Sequence, residues 1–151
     1  MEIDEHLAAS VAEIFSTMIM MEAEVADSTP PRPPVFTNSI SGVIGLAGTK
    51  KGVLALHFPM PVALAVTSSF LGMEVTESGP DVEDAIGELA NMLGGSVKTV
   101  LTDKGRDIQL SMPTTISGES YDVQLIHDAL RYALAFRIGA GDFLVELQLE
   151  Q

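Results

Sequence analysis

Glu88 and Asn91 stand three residues apart in the run Asp84-Ala85-Ile86-Gly87-Glu88-Leu89-Ala90-Asn91. On a helix, residues at that separation lie side by side and project together. An Asn amide carries both donors and an acceptor. It can therefore accept a hydrogen bond from a water while donating one to a phosphoryl oxygen, which holds that water in line for attack. Hydrolysis of an acyl phosphate asks mainly for such positioning, because its transition state is loose and needs little covalent help. An ionised Glu suits the gripping of a cation. The pair brings neither a nucleophile nor a metal, so it would have to complete a reaction centre supplied by another molecule. On spacing alone, an ordinary solvated helix face accounts for the same two residues.

The helix that must carry them follows from periodicity. At about 100° per residue, Val82, Ile86, Leu89, Leu93, Val97 and Val100 fall in one narrow arc, the expected core seam. Asp84, Glu88, Asn91, Gly95 and Lys98 gather on the opposite side. Asp81 is the expected N-cap, with Asp84 in capping-box position, and the helix is predicted to run to about Leu101. Gly87, Gly94 and Gly95 each cost about 1 kcal/mol relative to Ala inside a helix. Either tight packing against a neighbouring element or the approach of a partner's surface would explain them.

Around that helix the chain alternates helices and paired strands. Leu7, Val11, Ile14, Phe15, Met18 and Met21 predict a first helix from Ile3 to about Glu24. The proline-rich run 27–34 cannot continue it and reads as a stiff tether. Segments 42–48 and 53–58 flank a turn at 49–52 and predict a hairpin. Pro61 opens a short helix that Gly72 stops after Leu71. Segments 107–112 and 121–126 read as strands, the second weaker, and 130–138 with 143–149 as a clear second hairpin. A long helix precedes paired strands twice, so the expected fold is α+β. Its two halves would be a diverged helix-plus-hairpin repeat, building an antiparallel-rich sheet with the long helices packed on one face. The whole of 1–151 reads as one domain.

The run from Asp84 to Gly95 resembles the signature helix of the CheC/CheX/FliY family of chemotaxis phosphatases. Its pattern is an acidic or Ser residue, three residues, Glu, two residues, Asn, then small residues. The similarity in element order extends over nearly the whole chain. The resemblance implies an enzyme that hydrolyses the aspartyl-phosphate of a CheY-type response regulator. Glu88 would pair with the regulator's lysine and Asn91 would orient the attacking water, while Asp84, Gly87, Gly95 and Lys98 would border the docked partner. Magnesium would belong to the regulator, and the chain would need no cofactor of its own. Homodimerisation through sheet edges is implied as well. CheC-like members carry the motif again on the first helix. Here that run is Glu13-Ile14-Phe15-Ser16, and Ser at the Asn position predicts an inactive copy, a one-site arrangement similar to CheX. The alternative is a catalytically silent module that binds a response regulator or a flagellar switch component.

Composition narrows the remaining classes. A net charge of −13, with eight basic residues among twenty-one acids, argues against nucleic acid, which needs clustered Lys and Arg. The absence of Cys excludes disulfides, thiolate metal sites and Cys nucleophiles. The acidic N-terminus does not read as a signal peptide, and Pro59 and Pro61 break the longest apolar stretch, 53–73. A cytoplasmic protein off the membrane is therefore expected. His6, His57 and His127 lack metal-site spacing and read as packing residues. Asp81, Glu83 and Asp84 suit a helix N-terminus better than a cation. Residues 49–52 lack the glycine pattern of a phosphate loop, and Ser10, Ser68 and Ser69 lack a nucleophile motif.

Overall fold

Alternating apolar residues make strands wherever their partners alternate in step, and here they close one antiparallel sheet. The computed structural model describes residues 3–31, 33, 35–102, 107–123 and 129–150. In chain order come α1 (Ile3–Ile14), a π-helical turn (Phe15–Ile19), β1 (Glu24–Asp27), β2 (Phe36–Gly48), β3 (Gly52–Pro59), α2 (Met60–Leu71), α3 (Pro80–Leu101), β4 (Ile108–Leu110), β5 (Thr114–Tyr121), β6 (Leu130–Ile138) and β7 (Gly141–Leu149). The sheet runs β1-β6-β7-β3-β2-β4, and β5 also pairs with β2. The hairpins β2–β3 and β6–β7 meet at its centre through β3 and β7, from Gly52↔Leu149 to His57↔Leu144. The α+β architecture expected from the sequence is the one found.

The three helices cover one face. Ile40, Ile44, Leu54, Leu56, Phe58, Leu134, Phe136, Val145 and Leu147 project from the sheet to meet Leu7, Val11, Phe15, Val66, Ile86, Leu89 and Leu93. Phe143 is the hub, with ring centroids 4.9 Å from Phe15, 4.8 Å from Phe58 and 5.4 Å from Phe136. Each fully buried side chain of this size stabilises the fold by roughly 1.5–3 kcal/mol. Gly72, at φ 68, takes the left-handed conformation that ends α2, as expected from its position.

Four expectations need correction. The first helix does not reach Glu24: it ends in the π-helical turn, and Met20 at φ 62 reverses the chain. That turn advances the buried stripe from Met18, which is exposed, to Ile19, which is buried. Glu24 opens β1 instead, paired with β6. The N-cap of α3 is Gly79, with Pro80 beginning the helix, and no side chain caps it. Asp81 and Glu83 are thus in the first turn, where acids complement the helix dipole. The strand expected over 107–112 is the shorter β4, because Ser111 turns its backbone and side chain to Gly45 and Pro113 follows. The strand expected over 121–126 begins where β5 ends. Residues 122–123 are not strand, and 124–126 lie outside the described residues.

The second sheet face carries a buried polar chain. The Tyr121 and Ser41 hydroxyls share a hydrogen bond (2.8 Å), Ser41 Oγ and His57 Nδ1 share a second (2.6 Å), and His57 Nε2 and Glu146 Oε1 a third (2.8 Å). Arg131 Nε then donates to Glu146 Oε2 (3.0 Å), and Arg131 Nη1 to the Pro30 carbonyl (3.2 Å). Phe36 stacks on the His57 ring at 4.2 Å, and Ser41, His57 and Glu146 are all buried. The proline-rich run is therefore tied to the sheet by Arg131. His57 belongs to an ordered network and not merely to packing, while His127 lies outside the described residues.

Candidate functional site

The face that could meet a partner is built on α3. Val82, Ile86, Leu89, Leu93 and Val97 are buried, as the period required, and Val100 is half-buried. The opposite side is thereby turned out. Asp84, Glu88 and Asn91 are exposed, and Gly95 and Lys98 are partly so. Among the described residues, no hydrogen bond or ion pair holds Glu88 or Asn91. Both functional groups are free to engage something outside the chain. Asp84 and Glu88, one turn apart with like charge, repel slightly, by about 0.2–0.5 kcal/mol, which a cation arriving between them would relieve.

The neighbours of α3 fix its pose. On one side α1 packs antiparallel, and Ser96 Oγ donates to Ser10 Oγ at 2.8 Å. On the other side lies the segment from β4 to β5. A side chain at Gly94 would meet both Leu110 methyls and Ile44 Cγ2 at 3.4 Å, and one at Gly87 would meet Pro113 at 3.7 Å and Thr115 at 3.9 Å. Gly87 faces the chain's own segment. It is buried, and the space beside it is occupied by the chain's own Pro113. Gly95 differs: nothing lies within 4 Å of its missing side chain. The packing of segment 111–113 against α3 escaped the sequence reading. Its signal was the seven-residue spacing of Gly87 and Gly94, two helical turns on one side, which marks a groove for a close neighbour.

Glu13 and Ser16, the degenerate copy of the motif, are also exposed. Ser16 lies in the π-helical turn and its hydroxyl donates to the Glu13 carbonyl at 3.1 Å, so that group is spent on the local backbone. Among the described residues no three His, Asp or Glu side chains come together as a metal would require, and Asp81, Glu83 and Asp84 point to solvent. A recess of about 230 Å³ is lined by Pro31, Phe36, His57, Phe58 and Phe143 and includes no residue of α3. The outward side of α3 thus lies apart from that recess. No helix among the described residues is long and apolar enough to cross a membrane.

Comparison with known proteins gives the chain a family and a fold. The sequence profile of the family described as chemotaxis phosphatase CheX matches residues 40–137. The CheY-P phosphatase CheX of Thermotoga maritima is 29% identical over 119 residues, covering 78% of this chain and 77% of that protein. The crystal structure of the chemotaxis protein CheX from Desulfovibrio desulfuricans superposes with a TM-score of 0.86 at 27% identity, covering 99% of this chain and 100% of that one. The fold is also that of CheX in the CheX–CheY–BeF3–Mg2+ complex of Borrelia burgdorferi, with a TM-score of 0.80 at 17% identity and 99% of each chain covered. The profile match spans roughly two thirds of the sequence and includes the whole of α3, so this chain belongs to the CheX family of chemotaxis phosphatases.

Proposed function

We propose that this chain hydrolyses the aspartyl-phosphate of a CheY-type response regulator, with Asn91 orienting the attacking water and Glu88 pairing with a lysine of the regulator. The observation that carries the proposal is the joint exposure of Glu88 and Asn91 on one turn of α3, with no partner among the described residues. A carboxylate and an amide cannot by themselves activate water on a phosphate. They can complete a centre in which the regulator supplies the acyl phosphate, the lysine and magnesium. The Asn amide then accepts from the water and donates to the phosphoryl oxygen, which reduces the freedom of the nucleophile before attack. Water adds to phosphorus, the bond to the aspartyl oxygen breaks, and the regulator recovers its carboxylate. Asp84 and Lys98 flank the pair on the same side of the helix and would meet the regulator's rim, and Gly95 leaves room for it.

The family membership and the relationship to a CheY-P phosphatase support the same substrate class. The test is phosphate loss from a phosphorylated CheY-type receiver domain, measured with and without this protein. Acceleration by the wild-type chain is expected. Binding without acceleration would overturn the enzyme in favour of a silent docking module.

A further inference from the structure

Met112 is the most exposed large apolar side chain described, at 86%. Its backbone is nevertheless held on both sides. Ser111 N–H donates to the Gly45 carbonyl (2.9 Å), and Ser111 Oγ accepts from Gly45 N–H (2.8 Å). Pro113, fixed in φ, restricts the residue before it to extended conformations. The pinned segment lies along α3. Leu110 sits over Gly94 and Pro113 over Gly87. Those glycines are two turns apart, about 10.5 Å along the helix axis. Three residues of extended chain span about 10 Å, so 110–113 runs beside α3 over the same distance. Asn91 occupies the turn between the two glycines, about 40° around the helix from Gly87. Met112 is thus carried on a segment that spans the helix turns on either side of Asn91.

Resting on the reading above, we infer that Met112 is a docking residue for the receiver domain, seated against apolar surface next to its phosphorylated aspartate while Asn91 enters the pocket. One amide reaching a phosphate adds little affinity of its own, and the exposed face of α3 is polar. An apolar anchor at the centre of such a contact supplies what the polar groups do not. Met is suited to this because its unbranched thioether adapts to an irregular surface. The held backbone means that little main-chain freedom is lost when the partner arrives. Both glycines gain a reason: without side chains, they let the anchor-bearing segment lie close to the helix that carries Asn91.

The experiment uses the full chain and a CheY-type receiver domain, phosphorylated for turnover and loaded with beryllofluoride and magnesium for binding. Wild type, Met112→Asp and Met112→Leu are compared. Met112→Asp should raise both the half-saturating receiver concentration and the Kd at least tenfold, about 1.4 kcal/mol. The rate at saturation should stay within twofold of wild type, and Met112→Leu should remain near wild type throughout. Active wild type with unchanged half-saturation in Met112→Asp would overturn the docking role and leave the proposed function standing. If the wild type neither binds nor accelerates, the proposed function fails and the inference with it. The exposure of Met112 means that thermal melting should be the same for all three proteins, which separates docking from folding.

Discussion

Asn91 and Gly95 stand one helical turn apart on the outward side of α3, and nothing else in the described chain comes within 4 Å of where a Gly95 side chain would begin. Helix stability therefore gives no reason for a glycine there, and its value is the room it leaves beside Asn91. Gly95→Ala should stabilise the protein by about 1 kcal/mol, since Ala is the better helix former. In the same variant the half-saturating receiver concentration should rise several-fold. Urea denaturation and phosphate release from the receiver read the two effects separately. A more stable variant with unchanged kinetics would show that no surface approaches Gly95.

Asn91→Ala should lower the rate at saturating receiver at least tenfold, about 1.4 kcal/mol of barrier. Its affinity should stay near wild type, because the amide acts on the water and contributes little to docking. Single-turnover measurements at saturation isolate this step. A variant with full rate would remove Asn91 from the reaction. Asn91→Asp should be equally slow: its ionised carboxylate cannot donate to the phosphoryl oxygen.

Glu88→Gln should weaken docking as well as turnover, because the proposed partner is a lysine and an ion pair acts on affinity. The wild-type half-saturating concentration should climb with added salt, and in the variant that climb should be shallower. Titration at low and high salt checks this. Equal salt dependence in the two proteins would place the charge contact elsewhere.

Tyr121 provides a pH signature of the second sheet face. Burial raises its pKa above the ordinary value of 10.0, more than the hydrogen bond to Ser41 lowers it. The folded chain therefore holds this proton more tightly than the unfolded chain. Stability is fully present below about pH 10 and declines as pH rises from there through the folded value. Tyr121→Phe should show a smaller alkaline loss than wild type. Urea midpoints taken at neutral pH and in steps above about pH 9 give the comparison, and parallel curves would contradict it.

Periodicity made the candidate site legible because α3 is long and one-sided: its buried apolar residues fix its rotation, and Glu88 and Asn91 are then outward by geometry alone. The hairpin strands were legible for the same reason at period two. The π-helical turn was not, since Met18 and Ile19 are both apolar and only the local backbone decides which is buried. β5 was missed because Thr114–Tyr121 is an exposed edge with no clean alternation. The chain from Tyr121 to Arg131 joins residues on five strands, and no local spacing announces it. Gly87 and Gly94 were visible as oddities, but sequence could not say whether a partner or the chain's own Leu110 and Pro113 would fill the groove.

The central pairing of β3 with β7 bears on how this molecule is made. Gly52 must wait for Leu149, so the middle of the sheet cannot zip until nearly a hundred further residues have left the ribosome. Until then β3 keeps a bare edge, and Leu54 and Leu56 lack the strand that completes their layer. Contacts so distant along the chain slow folding and lengthen the time in which that edge can pair wrongly. Nascent chains halted before β7 should therefore be the species that chaperones hold and proteases remove.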